Sequence, residues 1–317
     1  MVIRTSCRAA PGACFAKIVL SISFLSDQTN FTMATTSSPD PRESIRQEWI
    51  AAAPFWRKWS PQLTHQSRRA TELVVEGAAL APGLHVLDLA SGTGEPALSI
   101  STAVAPSGRV VATDLVQEML HVAEEFAAAR GIRNIDFQAT DAEQLPFPSQ
   151  SFDRVTSRFG IMYIPDIQKS LTEMRRVLRA HGRVSFVTWG PSEENPLFGT
   201  MLGPFLRYVE VPPPPPDSPH VFRFSDQAKL ESLFSQAGFR EVRVVKHRIR
   251  WPWPGSPEEA WQGGSEVAAP FKKIIAATPV EKREEAIAEV IAGIRKFSDG
   301  RAVNFPATVL STTAVNP

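Results

Sequence analysis

The feature that most narrows what this chain can fold into is a repeated alternation of short apolar runs with helical periodicity across residues 84–190. Leu84 to Leu89 is apolar apart from His85 and Asp88 and reads as a buried strand, and Glu95 to Val104 reads as a helix. A second strand spans Arg109 to Thr113 and closes on Asp114. Val116, Met119, Leu120, Ala123 and Phe126 follow at helical spacing, with Gly131 as the stop. Strands at Ile135 to Ala139, Phe152 to Ser157 and Val184 to Trp189 complete the series. A helix marked by Ile167, Leu171, Met174 and Leu178, which His181-Gly182 should close, separates the last two. Strands joined through helices need crossover connections, so this rhythm predicts a parallel sheet covered by helices on both faces.

The flanks follow a different pattern. Arg42 to Ala79 is helical and rich in Trp and Ala, with Pro54 and Pro61 expected to break it into pieces. Beyond Gly190 comes a run of five prolines, Pro212 to Pro216, which predicts an extended surface loop. Ser225 is the expected N-cap of a helix from Asp226 to Ala237, before a strand from Val242 to Ile249. Residues 256–297 read as two or three helices, and Ala302 to Thr312 as a last strand. The expected division is an N-terminal helical segment at 33–82, a core at 83–255, a helical cap at 256–298, and a final strand with its tail at 299–317. Residues 1–32 look foreign to the rest: Arg4 and Arg8 precede a short apolar run from Ile18 to Leu25. A start at Met33 is preferred to a signal peptide, because no small-residue cleavage site follows that run.

Composition excludes several classes. Lys plus Arg is 34 and Asp plus Glu is 33, a balance that gives nucleic acid no electrostatic footprint. No apolar run approaches the roughly 20 residues of a membrane span, so a cytoplasmic protein is expected. The two cysteines, Cys7 and Cys14, are both near the start, which leaves the body without a thiol, a disulfide framework or a cysteine metal cluster. No metal site is expected.

The segment Val86-Leu87-Asp88-Leu89-Ala90-Ser91-Gly92-Thr93-Gly94 lies where the first strand meets the first helix. Glycines at that junction allow a sharp turn and a close approach of backbone to ligand. Gly92 to Ala97 also fits the dinucleotide pattern, and charge separates the two readings. A nicotinamide cofactor would set a pyrophosphate there, against Asp88 and Glu95. S-adenosylmethionine carries a sulfonium and an ammonium instead, which acids favour. Asp114 can accept hydrogen bonds from both ribose hydroxyls. Asp141 can accept from an adenine amino group while Ala142 offers its N–H.

On these motifs the chain resembles class I S-adenosylmethionine-dependent methyltransferases, in the small-molecule branch of ubiquinone and menaquinone C-methyltransferases. The stretches Asp141 to Phe147, Ser151 to Val155 and Arg158 to Asp166 carry the likeness with the glycine segment and Asp114. The resemblance implies a Rossmann-like α/β fold with a seven-stranded, mostly parallel sheet whose last strand is antiparallel, S-adenosylmethionine as cofactor, and a small-molecule methyl acceptor. The donor contacts expected are Asp88, Ala90, Gly92, Gly94, Asp114, Leu115, Asp141, Ala142 and Ser157. Quinone members usually carry an Arg-Asn pair where this chain has Ile161-Met162-Tyr163, which counts against a quinone.

Each residue also has a plainer reading. Asp88 or Asp114 could cap a helix, Glu95 could be a first-turn charge, Arg158 an ion-pair partner, and Tyr163 core. Trp49, Trp56 and Trp59 could lid the site or simply pack, and Trp251 and Trp253 share that ambiguity. His65, His121 and His220 are scattered, and no pair of residues compels a general base. The competing functions are a donor-binding module without turnover and a nicotinamide oxidoreductase, the latter lacking a Tyr-x-x-x-Lys signature.

Overall fold

The computed structural model describes residues 40–317, so Cys7, Cys14, Met33 and the foreign-looking N-terminal stretch lie outside the described residues. Seven strands form one sheet: β1 His85–Leu89, β2 Arg109–Asp114, β3 Ile135–Ala139, β4 Phe152–Arg158, β5 Leu178–Trp189, β6 Arg240–Pro254 and β7 Ala302–Val315. Their order is β3-β2-β1-β4-β5-β7-β6. The first five pair in parallel, and β7 runs antiparallel between β5 and β6. The chain winds outward from β1 to β3, then returns to start again at β4. The crevice beyond the carboxyl ends of β1 and β4 is therefore the topological switch point, where such sheets take ligands.

Ten α-helices complete the described residues: α1 Pro41–Lys58, α2 Ser60–Ala78, α3 Ala97–Val104, α4 Gln117–Ala129, α5 Ile167–Val177, α6 Pro196–Leu202, α7 Gln227–Gln236, α8 Pro257–Val267, α9 Ala269–Ala277 and α10 Val280–Arg295. Val86, Leu87 and Leu89 are buried because helices cover both faces of β1. β3 is an edge strand, and its outward Asp136 pairs with Arg109 of β2 at 2.8 Å.

The structure departs from the sequence expectations in four places. Pro54 lies inside α1 without ending it, and the break falls at Trp59, just before Pro61 enters the first turn of α2. His181-Gly182 does not stop a helix. α5 ends at Val177, and the pair sits inside β5, where its pairing with β4 shifts register between Phe152 and Arg154 and His181 takes a φ of 64°. The cap of α7 is Asp226 rather than Ser225, its carboxylate accepting from the Lys229 N–H at 2.9 Å. β6 runs on to Pro254, beyond the expected Ile249, because its far half pairs with Ala302 to Ala307 of β7. That extension carries Trp253 against Gly263 of α8 and Trp251 against Trp189 and Phe159.

Candidate active site

At the end of β1 the chain turns through Ala90, Gly92 and Gly94, with φ of 53°, 53° and 111°. The left-handed region is open to glycine, whereas a side chain there costs about 1–2 kcal/mol, so Ala90 is strained. A Cβ on Gly92 would meet nothing within 4 Å, which leaves its backbone free for a ligand to approach; a Cβ on Gly94 would strike Leu98 and Ala123. Gly94 is thus a packing requirement and Gly92 the open face of the loop.

Asp114 ties this loop to β2. Its two carboxylate oxygens accept from the N–H groups of Gly92 at 2.9 Å and Val116 at 3.0 Å. Burial pushes its pKa up to about 6, against the opposing pull of those N–H donors. Asp88 is fully buried beneath the loop, where it accepts from Ser91 Oγ at 2.7 Å and Thr156 Oγ1 at 2.6 Å. Burial raises its pKa to about 7. Asp88 therefore faces the loop from inside, unlike Asp114, which is only part-buried. Ser157 is buried as well, its hydroxyl donating to the Leu89 carbonyl at 2.8 Å.

The third predicted acid is held by a residue that sequence reasoning did not single out. Arg42 of α1 meets Asp141 at 3.1 Å and forms a close ion pair with Glu143. Glu143 is fully buried and also accepts from the Asp166 N–H at 2.8 Å, while Asp141 accepts from the Glu143 N–H at 2.8 Å. Leu115 packs with Ala52, Ala53, Trp49 and Trp56 of α1, and Ala142 lies against the main core. α1 thus runs over the carboxyl ends of β2 and β3. No signal in sequence connects Arg42 with Glu143, since 101 residues separate them.

Beyond β4 the chain passes through Phe159, at a φ of 57°, and then Gly160. A Cβ on Gly160 would strike Ala90 and Ser157, so only glycine lets this segment close on the loop. The turn at Ile161–Tyr163 buries Ile161 and Met162 fully, and Tyr163 packs edge-on to Trp49 at 5.6 Å. Phe159 stacks on Trp189 at 4.6 Å. Trp251 stands edge-on to Trp189 at 4.7 Å, and Phe198 does the same at 5.1 Å. These rings, drawn from the ends of β4, β5, β6 and α6, form an aromatic cluster beside the loop.

The remaining candidates take structural places. Glu95 accepts from Ser99 at 2.6 Å and pairs with Arg130 at 2.9 Å. Asp153 accepts from the His85 N–H and from Arg179, pinning β1 to β4. His220 is buried and its pKa falls to about 4, so it is neutral, and its Nδ1 accepts from the Phe222 N–H. Trp56 and Trp59 donate their indole N–H groups to Val267 and Glu266 of α8, which ties the N-terminal helices to the cap. Among the described residues no His, Cys, Asp and Glu group suits a metal ion, and no helix is long and apolar enough to cross a membrane.

Known proteins share this arrangement. A family model described as the ubiE/COQ5 methyltransferase family matches residues 63–201. A demethylmenaquinone methyltransferase of Listeria monocytogenes serotype 4a (strain HCC23) is 30% identical over 181 residues, covering 52% of this chain and 73% of that protein. The one from Geobacillus kaustophilus (strain HTA426) is 34% identical over 177 residues, covering 51% and 73%. Among solved structures, the YcgJ protein of Bacillus subtilis superposes with a TM-score of 0.50 at 25% identity, over 78% of this chain and 98% of that one. The [4+2]-cyclase SpnF superposes at 0.55 with 18% identity, over 87% and 96%, a likeness of fold alone.

Proposed function

This chain belongs to the ubiE/COQ5 methyltransferase family, and we propose that it transfers the methyl group of S-adenosylmethionine to a flat, largely apolar ring of the quinol type. It is an S-adenosylmethionine-dependent methyltransferase, which sets aside the nicotinamide reading. The donor side is proposed as the loop Ala90 to Gly94, with Asp114 and Leu115 on the ribose, Asp141 and Ala142 on the adenine, and Ser157 at the methionine end. Asp88 acts from beneath the loop, through its charge and its hold on Ser91. The fit rests on the open backbone at Gly92 and on Asp114 against that backbone.

The family match covers 63–201, whereas α1 and the cap lie outside it. Of the rings proposed to hold the acceptor, Phe159, Trp189 and Phe198 fall inside the matched segment and Trp251 outside it. The observation that carries the ring proposal is the stacked pair Phe159–Trp189 with Trp251 and Phe198 around it, next to the donor loop. Trp189 and Trp251 are buried in the core, so the part-exposed Phe159 and Phe198 are the rings proposed to hold a flat acceptor by stacking.

The donor, when bound, supplies a methyl group already activated on a sulfonium for in-line displacement. What remains for the protein is to align the acceptor and exclude water. The aromatic cluster does the first, and α1 with α8 covers the edge. Ile161, Met162 and Tyr163 stand where quinone members usually carry the Arg-Asn pair. Met162 is buried, and burial raises the Tyr163 pKa, so neither serves as a base near neutral pH. With no base supplied there, an electron-rich ring such as a reduced quinol is the proposed acceptor; the relatives favour it even though the Arg-Asn pair is missing. Incubating the protein with methyl-labelled donor and demethylmenaquinol, beside a panel of simpler phenols and quinols, tests this. Label in a ring product supports the reading. Donor binding without transfer to any ring acceptor favours the module that binds and does not turn over.

A further inference from the structure

Arg158 ends β4 at the switch point and is packed against α2. One Nη1 donates to Ser67 Oγ and to Thr71 Oγ1, both at 2.7 Å, and these hydroxyls sit one turn apart on the inward face of α2. Its Nε is buried and finds no acceptor among the described residues. No carboxylate pairs with it there either. Asp88 is taken by Ser91 and Thr156, and Glu95 by Ser99 and Arg130. Burial lowers its pKa, yet a guanidinium keeps its proton at any working pH. A half-buried cation whose Nε is shut off from water, and which is met only by neutral hydroxyls, is electrostatically unfavourable until an anion joins it.

Position selects the anion. Arg158 follows Ser157, which hangs from the Leu89 carbonyl at the foot of the donor loop. The acids whose fields reach it, Glu95 and Asp88, belong to that loop and strand. The amino-acid end of the donor carries an ammonium and a carboxylate together. Acids alone would favour the first and repel the second, so a site for the whole group needs a cation beside its acids.

Building on the donor reading above, we propose that Arg158, presented by Ser67 and Thr71, binds the α-carboxylate of the methionine moiety of S-adenosylmethionine. The two hydroxyls fix one edge of the guanidinium and leave the Nε edge free for a planar, bidentate partner, which a lysine could not match. Arg158 is a binding residue here, and Ser67 and Thr71 are positioning residues acting through it.

Calorimetric titration with two adenosine ligands tests the inference without turnover. S-adenosylhomocysteine carries the amino-acid arm, and 5′-methylthioadenosine lacks it. For Arg158→Gln, homocysteine-ligand affinity should fall on the order of 30-fold, while methylthioadenosine affinity stays within about twofold. Arg158→Lys, which keeps the charge and guards against a misfolded glutamine variant, should lose about 10-fold, again only with the first ligand. Ser67→Ala with Thr71→Val should show a smaller loss of the same selectivity. Equal weakening of both ligands, or of neither, in a folded Arg158→Lys would overturn the assignment. Wild-type protein that binds neither ligand would overturn the donor reading itself, a separate and recognisable failure.

Discussion

Two acids under and beside one loop set the residue-scale chemistry. Burial lifts Asp88 to about 7 and Asp114 to about 6, both well above the ordinary aspartate value. Across the window from the ordinary value up to these, the folded protein binds more protons than the unfolded chain, so stability contributed by these groups falls as pH rises through it. A cationic donor reverses the preference, because it stabilises the ionised carboxylates. Donor affinity should therefore rise as pH increases through 6 to 7, with proton release. Calorimetry at about pH 5.5 and 7.5, in two buffers of different ionisation enthalpy, should show roughly tenfold tighter binding at the higher pH. Affinity flat across that range would contradict it. Sterics make a second prediction. Gly160→Ala drives a Cβ into Ala90 and Ser157 and should destabilise by about 2 kcal/mol or more in thermal melts. Adding Ala90→Gly should recover part of the loss, since it removes one of the clashing atoms and the strain at a φ of 53°. The glycine segment and the strand-end acids were legible in sequence because turn chemistry and charge are local. The enclosure of Asp88 was not, because it depends on Thr156, which lies 68 residues away.

At the scale of elements, α1 decides how the loop after β3 is closed. Arg42 reaches from its first turn to Asp141 and the buried Glu143. Removing the guanidinium leaves Glu143 without its cation, although the Asp166 N–H remains. Arg42→Ala should cost about 2–3 kcal/mol, below the full value for a buried pair because Arg42 is one-third exposed. Chemical denaturation checks this, and a loss under about 0.5 kcal/mol would mean the pair is ornamental. The same element shows where local signals mislead. Pro54 was expected to break the helix, yet the chain continues to Lys58 because packing of Ala52 and Ala53 against Val116 and Met119 holds that turn in place. His181-Gly182 misled in the same way, since a left-handed residue before glycine ends helices and also forms the irregularity seen in β5.

Taken whole, the molecule is a mostly parallel sheet clasped at its carboxyl edge by segments remote in sequence. Glu266 of the cap accepts from Trp59 at 2.6 Å and Lys58 at 2.8 Å, and Lys273 meets Glu48 at 2.6 Å. Glu266→Ala should raise hydrogen exchange in 41–59 without lowering protection in β1, β2 and β4. Uniform loss of protection would show that the clasp is part of the core. The mostly parallel sheet with its antiparallel last strand followed from the alternation at 84–190 and the family resemblance. The clasp did not, because contacts across 207 residues leave no periodic trace. The central claim is that the loop at the switch point, tied to Asp114, holds S-adenosylmethionine. Calorimetric titration of residues 33–317 with S-adenosylmethionine and separately with NADH, repeated on Asp114→Ala, tests it most directly. One donor should bind per chain, with affinity reduced about 100-fold in the variant and no NADH binding. NADH binding without donor binding, or donor affinity indifferent to Asp114, would contradict it.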